Sequence, residues 1–577
     1  MINGNVASTV VSNASAEALI RRLRQMQTDR QGLETIIREC YDNTYPLRGS
    51  GFYVPNGSSP QGIANQQQSS IKQAELLDST GTEATRILGS ALMSGLTPAN
   101  SRWAETWVRE ASEADKKWLD EQSTSVWEWI HRSNFDAVAY ECMIDYVVAG
   151  QFYMYIDELP MEEGGGYLFE QFPLAATWAT SSKPGRPLDT FYREMYLTAE
   201  QAINYYGEEN VSKEIRDAAT NAPDKKCPFL WAIYPRGTNG KLAMSMPFAS
   251  CHVDIHAKKI IRERGYHECP VVAPRWQRIP NSDNATGAVF EALPSIKQLQ
   301  TVIRLNLAGL EMNVGGMWIA KDDGVLNPHT IKVGPRKIII AADTEAMKPL
   351  INATDMSKTI IEIQRLQKQI RQCMMADHLD PPQKPGDQQT AYEVHVRVEL
   401  IRQLLGPTYG RTQMEYLAPM WTRCWGLAYR AGELGMAPPD LQGKSFTVKY
   451  VSPIARAQRG VDLAAMDRYE QALLAETQLD PNVLDNYDTD EASRLRAELG
   501  GVPSKLMVPR DKVQERRAQA AQDQQQQKTE NFSQTALMEN IKKGGDNGNA
   551  LAMAAIAGQM NRPKNFKMKG RQIVGIE

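Results

Sequence analysis

With 577 residues, 42% of them hydrophobic and 23% charged, the chain has the composition of a folded globular protein with room for several domains, which excludes fibrous and wholly disordered classes. Its formal charge of −3 excludes a generally basic, DNA-wrapping protein, because phosphate neutralisation supplies most of that kind of affinity. Any contact with DNA must then be local, or made by a surface over which DNA passes without sticking.

The N-terminal stretch MINGNVASTVVSNASAEAL lacks a basic region followed by an apolar core, so it reads as a disordered leader and not a secretory signal. No apolar run approaches the ~18–20 residues of a membrane span. Seven scattered cysteines, an odd number with no C-x-x-C, fit reduced and mostly buried thiols of a cytoplasmic assembly environment. Residues 14–45 carry an amphipathic helical pattern through Leu19, Leu23, Met26, Leu33, Ile36 and Ile37. Pro46 and the polar stretch to about Gln68 read as a loop, and a second helix is expected over about 72–96. Pro98 ends it, and Trp103 and Trp107 begin a new packed layer.

Residues 115–157 predict two more helices, the second running past Gly150 into a strand, FYMYI. From 165 to 280, short β-branched and aromatic runs bounded by Gly, Pro and Asn predict strands and hairpins of a small α+β region. A helix of about 20 residues follows from Pro294, which suits a first-turn position, to Asn313. Ile296, Leu299, Ile303, Leu307 and Leu310 line it. Gly315 and Gly316 end it, a compact β segment follows, and a further helix covers about 354–376 with Met356, Ile360, Ile363, Leu366, Ile370 and Met374 on one side.

Residues 377–389, DHLDPPQKPGDQQ, form a polar proline-rich loop. Thr390 and Glu393 then have capping-box spacing at the start of a long helix reaching Leu434, with a kink at Gly406-Pro407. Ser445–Ala455 reads as a strand returning to the body, followed by helices at about 457–476 and 488–500. A helix is also possible over 508–526. Beyond Lys528 the composition predicts disorder or order that depends on assembly.

Cys251, His252, His256, His267 and Cys269 invite a zinc hypothesis. On one strand, however, His252 and His256 would stand ~13 Å apart, and a hairpin is the simpler reading. The phosphate-binding pattern G-x-x-x-x-G-K-[ST] is absent; GTNGK at Gly237–Lys241 has the wrong spacing and reads as a hairpin turn. Neither G-x-S-x-G nor H-E-x-x-H occurs, and no catalytic residue is nominated. The tryptophans 103, 107, 421 and 425 are expected to pack a core.

A polar loop feeding a capped, kinked helix, with the wording TAYEV…LLGP…R…E.LAPM, resembles the portal proteins (head-to-tail connectors) of short-tailed bacteriophages. DSTGTEATRILGSALMSGLTP…RW, YVVAGQFYMYI, CPVVAPRWQR…GAVFEALPSIKQLQ and VSPIARAQRGVDL extend the resemblance, in order, over roughly Glu75 to Val502. It implies a mainly helical α+β portal fold assembled as a closed ring, commonly a dodecamer. The implied regions are a wing (1–288), a first stem helix (289–314), a clip (315–353), a second stem helix (354–376), a tunnel loop (377–389), a kinked wing helix with its return strand (390–455), a crown (456–507) and a C-terminal barrel-like helix with a flexible tail (508–577). The implied function is a channel at one capsid vertex through which double-stranded DNA is packaged and ejected. The implied partners are further copies of the chain, the terminase large subunit, tail adaptor and nozzle proteins, and the major capsid and scaffolding proteins. No enzyme activity, cofactor or metal is implied, and the expected location is the virion after assembly in the host cytoplasm. Alternatives are another structural tail or baseplate protein, or a packaging motor subunit; the motor would need the missing phosphate-binding lysine.

In that setting Lys358, Arg365, Lys368 and Arg371 outnumber Asp355 and Glu362 on the second stem helix. They read either as a solvated face with intersubunit ion pairs or as a ring of weak positive charge facing DNA. Lys384 reads as channel-facing or as an ordinary loop lysine. Lys321, Asp322, Asp323, Arg336 and Lys337 are the clip candidates for docking motor and adaptor.

Overall fold

The computed structural model describes residues 13–53, 63–109, 111–236, 246–315, 318–320, 347–349, 356–379, 406, 408–444, 446–451, 453–477, 487–500, 502, 507–508 and 510–543. The chain divides into two units, Met1–Val502 and Pro503–Glu577.

In the first unit, α1 (Asn13–Asp42) presents Ala16, Leu19, Ile20, Leu23 and Met26 to the sheet residues Trp178, Tyr192, Leu230 and Ala232, and Ile37 and Tyr41 to the main core. The single helix expected at about 72–96 is two, α2 (Ile63–Glu75) and α3 (Thr80–Leu96). The break has a tertiary cause. The Gln300 side-chain carbonyl accepts from the amides of Leu77 (2.9 Å) and Asp78 (3.3 Å), and its amide donates to the Asp78 carbonyl (2.8 Å). Asp78 in turn accepts from the Thr80 amide at 2.8 Å, so the new helix starts there.

Next come β1 (Ala104–Trp107), α4 (Glu113–Arg132) and α5 (Phe135–Ala149). A reciprocal capping box between Ser112 and Asp115 opens α4. Gly150, at φ +80°, ends α5 and turns the chain into β2 (Tyr153–Glu158), which pairs with β3 (Tyr167–Phe172) through a turn containing Gly164, Gly165 and Gly166.

The region expected to be strands contains β4 (Thr177–Thr180), β5 (Thr190–Thr198), β6 (Lys226–Pro235), β7 (Phe248–Asp254) and β8 (Lys259–Tyr266), antiparallel in that order. Between β5 and β6 it also contains two helices that the strand reading did not include, α6 (Ala199–Tyr206) and α7 (Lys213–Asn221). They cover the sheet face opposite α1. Alternate residues of β6 accordingly enter different cores, Phe229 with Tyr206 and Ile215, Leu230 with Leu23. The short strands β9 (Val271–Val272), β10 (Gln277–Arg278) and β11 (Ala285–Thr286) lead onward, with β9 on the free side of β2.

Helix α8 (Ala288–Gly315) begins before Pro294, which therefore lies inside the helix and not in its first turn. Its start is fixed by a backbone crossing. A Cβ on Gly150 would come within 2.2 Å of the Thr286 carbonyl carbon, and one on Gly287 within 2.3 Å of the Val147 oxygen. The two glycines let the end of α5 touch the chain just before α8.

Strands β12 (Trp318–Ala320) and β13 (Met347–Pro349) pair antiparallel. The span between them, with Lys321, Asp322, Asp323, Arg336 and Lys337, lies outside the described residues. Helix α9 (Met356–Cys373) follows, then α10 (Ala376–Leu379), which makes the first residues of the expected loop helical. The rest of that loop with Lys384, the Thr390–Glu393 box, the first apolar stripe of the long helix and Pro407 all lie outside the described residues.

The described part of the long helix holds an irregularity that was not anticipated, a π-helical turn at Gln413–Leu417 directly before α11 (Ala418–Ala431). Pro419 supplies the cause: it has no amide to donate and crowds the preceding turn, which widens to accept it. Gly432, at φ +79°, closes α11. Strand β14 (Thr447–Tyr450) returns to pair with β1, Ala104 opposite Tyr450 and Trp107 opposite Thr447. Helices α12 (Pro453–Thr477) and α13 (Thr489–Leu499) complete the unit. The second unit contains α14 (Arg510–Lys543), whose 34 residues pass the Lys528 limit expected from composition.

Candidate functional site

The α8–α9 pair is built from the two apolar stripes legible in the sequence, but they are not uniformly covered. Ile296 and Leu299 of α8 are buried, as are Leu366, Ile370 and Met374 in the second half of α9 and the turn after it. Val302, Ile303 and Ile363 are partly covered. Further along, the stripe residues Leu307, Leu310 and Ile360 are 45%, 41% and 51% exposed, and Leu305 and Ile361, outside the stripes, are 67% and 65% exposed. The same hairpin is thus core at one end and apolar surface toward the other.

The returning helix is tied to the body by polar contacts. The Gln367 side chain donates to Asp78 at 2.9 Å and Arg371 to Glu83 of α3 at 3.0 Å. Arg365 is bridged to Glu362 at 2.6 Å and donates to Gln369 at 3.2 Å, while Lys358 and Lys368 are exposed. Arg365 and Arg371 therefore spend charge on local or α3 carboxylates. The Glu83 partner was not anticipated; only the fold brings it to α9.

A second junction holds the chain before α8 against the π turn. Arg275 forks onto Glu415, Nη2 to Oε1 at 2.6 Å and Nε to Oε2 at 3.2 Å, and the Arg275 amide donates to the same carboxylate at 2.9 Å. The two side chains are 1% and 9% exposed. Arg411 donates to the Trp276 carbonyl at 2.9 Å, and Tyr146 and Thr412 share a hydrogen bond of 2.8 Å.

The tryptophans behave as packing groups. Trp103 meets Trp421 edge-on at 5.4 Å and Trp118 meets Trp425 at 6.4 Å. Trp103 donates to His131 and Trp421 to Thr106. Trp107 remains partly exposed on β1.

Cys251 and His252 are neighbours on β7 and point to opposite faces. Cys251 enters the α1 core, whereas His252 stacks on Trp231 at 4.9 Å and bonds the Tyr206 hydroxyl at 3.0 Å. Among the described residues no group of three or more His, Cys, Asp and Glu side chains is gathered so as to hold a metal ion. All seven cysteines are free thiols. Burial pushes the thiol pKa up to about 12 at Cys40 and about 11 at Cys251, away from reactive thiolate. Among the described residues no helix is long and apolar enough to cross a membrane.

Polar junctions that serve packing, and a helical hairpin that leaves apolar side chains exposed, fit an assembly component. Residues 16–508 match the family described as bacteriophage head to tail connecting protein, and the chain belongs to that family of structural proteins of the phage particle. It is 24% identical over 527 residues to the probable portal protein of Bordetella phage BPP-1, covering 88% of this chain and 91% of that protein. It is 23% identical over 533 residues to the portal protein of Salmonella phage epsilon15, covering 89% and 93%. A solved chain described as the neck of an empty GTA particle superposes with a TM-score of 0.30 at 11% identity, covering 67% of this chain and 84% of that one, too loosely to bear on the fold.

Proposed function

We propose that this chain assembles into a closed ring, commonly a dodecamer, forming the channel at one capsid vertex through which double-stranded DNA enters and leaves the head. The observation that carries the reading is the set of exposed apolar side chains on the α8–α9 hairpin, Leu305, Leu307, Leu310, Ile360 and Ile361. Each such side chain gains about 1.5–3 kcal/mol on full burial, and a cyclic arrangement lets every copy bury it against a neighbour. In this reading α8 and α9 are the stem, the segment between β12 and β13 is the clip, and residues 1–288 and 390–455 are the wing.

Lys358, Arg365, Lys368 and Arg371 of α9, with Lys384 of the loop, are the residues proposed to face DNA. The weak local charge and the overall −3 suit a surface over which DNA slides, because tight phosphate contacts repeated around a ring would stall it. Class averages of the purified protein test the ring: a hollow ring with a duplex-sized hole is expected, and a stable monomer at every concentration would overturn the reading.

Clip docking of the terminase large subunit and the tail adaptors is proposed for Lys321, Asp322, Asp323, Arg336 and Lys337. Charge reversal at Asp322 and Asp323, or at Arg336 and Lys337, is expected to weaken motor or adaptor binding by several kcal/mol as an order of magnitude while rings still form. Unchanged affinity for both partners would remove these residues from the docking surface.

A further inference from the structure

The five-stranded sheet ends at β8, which pairs with β7 and with no other strand among the described residues. One side of β8 therefore offers a row of backbone donors and acceptors. Its cross-strand register places Arg193, Trp231, His252 and Arg262 directly opposite one another in a row across β5, β6, β7 and β8. Residues opposite one another share a face, so both arginines lie on the side where His252 stacks on Trp231. Arg264, opposite Ser250, follows on that face two residues along β8, roughly 7 Å from Arg262 by strand rise.

Tyr205 of α6, half exposed, lies over this region with the Arg262 guanidinium 5.6 Å from its ring. The neighbouring carboxylates are engaged: Glu170 pairs with Arg193 at 2.8 Å, and Asp157 with Arg423 at 3.2 Å. Burial, with the positive field of Arg264 and Arg193 added, holds the His252 imidazole well below its ordinary range. Arg264 is exposed, and Arg262 is partly so.

We infer that β8 is a docking edge for an extended acidic segment of a partner polypeptide, which adds as a further strand and sets carboxylates at alternate positions against Arg262 and Arg264. The two features reinforce each other. Alternate positions on an added strand repeat at the same ~7 Å as the two arginines, and guanidinium forks match carboxylates in bidentate fashion. Charges on an edge strand repel indiscriminate pairing, and the register shift between His252 and Val253 limits the regular edge to its C-terminal half. An acidic strand satisfies both conditions, whereas a neutral or basic one is rejected, so the guard acts as a filter. Duplex DNA would use the arginines but not the backbone edge, and so fits only half of what is present.

The test uses the full-length protein, a short capped peptide alternating glutamate with threonine, its lysine–threonine counterpart and a short DNA duplex, all followed by fluorescence anisotropy. The acidic peptide is expected to bind, to weaken at least tenfold with Arg262→Glu/Arg264→Glu, and to slow amide exchange within Lys259–Tyr266. Arg264→Gln, a milder change at an exposed site, is expected to weaken binding severalfold and guards against misfolding of the double variant. Absence of binding by the acidic peptide, equal binding by both peptides, preference for the duplex, unchanged affinity in both variants, or binding without protection of β8 would each overturn the inference. None of these outcomes depends on the ring, so the proposed channel stands or falls separately.

Discussion

His252 is a neutral imidazole locked between the Trp231 indole and the Tyr206 hydroxyl. Burial, with Arg264 and Arg193 adding to it, lowers its pKa to about 3 from an ordinary 6.5. Between those values the unfolded chain takes up a proton that the folded chain refuses. The stability contribution is therefore fully present above pH 6.5 and is lost as pH falls toward 3, at up to ~1.4 kcal/mol per pH unit. Thermal unfolding from pH 7 to 5 is expected to lose midpoint temperature more steeply in the natural protein than in His252→Gln, whatever the absolute stability of the variant. Parallel curves would mean that the imidazole protonates in place.

At the scale of elements, the Arg275–Glu415 pair joins the approach to α8 to the π turn, and its burial makes it sensitive to a single change. Glu415→Ala leaves a guanidinium buried without its carboxylate, a loss of about 3–5 kcal/mol in comparable buried pairs. Replacing both residues together, Arg275→Met with Glu415→Leu, is expected to recover most of that loss in chemical denaturation. A double variant as unstable as the single one would show that shape, not charge, makes the site. Their pairing was not legible in the sequence, since 140 positions separate them and no local pattern connects them. The legible features were periodic or conformational: the stripes of α8 and α9 and the Gly150 turn into β2. The misread features had remote causes. Gln300 breaks the helix between α2 and α3, and Pro294 is carried inside α8 because the Gly150–Gly287 crossing sets the start upstream. The helices α6 and α7 were missed because they are short segments between strands, in a stretch whose aromatic and β-branched runs carry the stronger signal.

At the scale of the whole molecule, the proposed ring would use the α8–α9 hairpin to separate folding from assembly. Leu305 and Ile361 are the most exposed of its apolar side chains among the described residues, so the isolated chain gains little from them; substitutions at such surface positions usually shift stability by no more than about 0.5 kcal/mol. In a ring each would be buried against the neighbouring copy, and a carboxylate there would be desolvated without a partner at every interface around the circle, at a cost of several kcal/mol each. Leu305→Asp and Ile361→Asp are therefore expected to leave the circular dichroism and melting midpoint of the chain nearly unchanged while native mass spectrometry shifts from rings to monomers. Leu305→Met, similar in volume and still apolar, is expected to keep the ring. Rings that persist in both aspartate variants would place these side chains on a solvent or channel face and move the intersubunit contact elsewhere, whereas a collapsed melting midpoint would mean that the hairpin's outer row already supports the fold of a single chain.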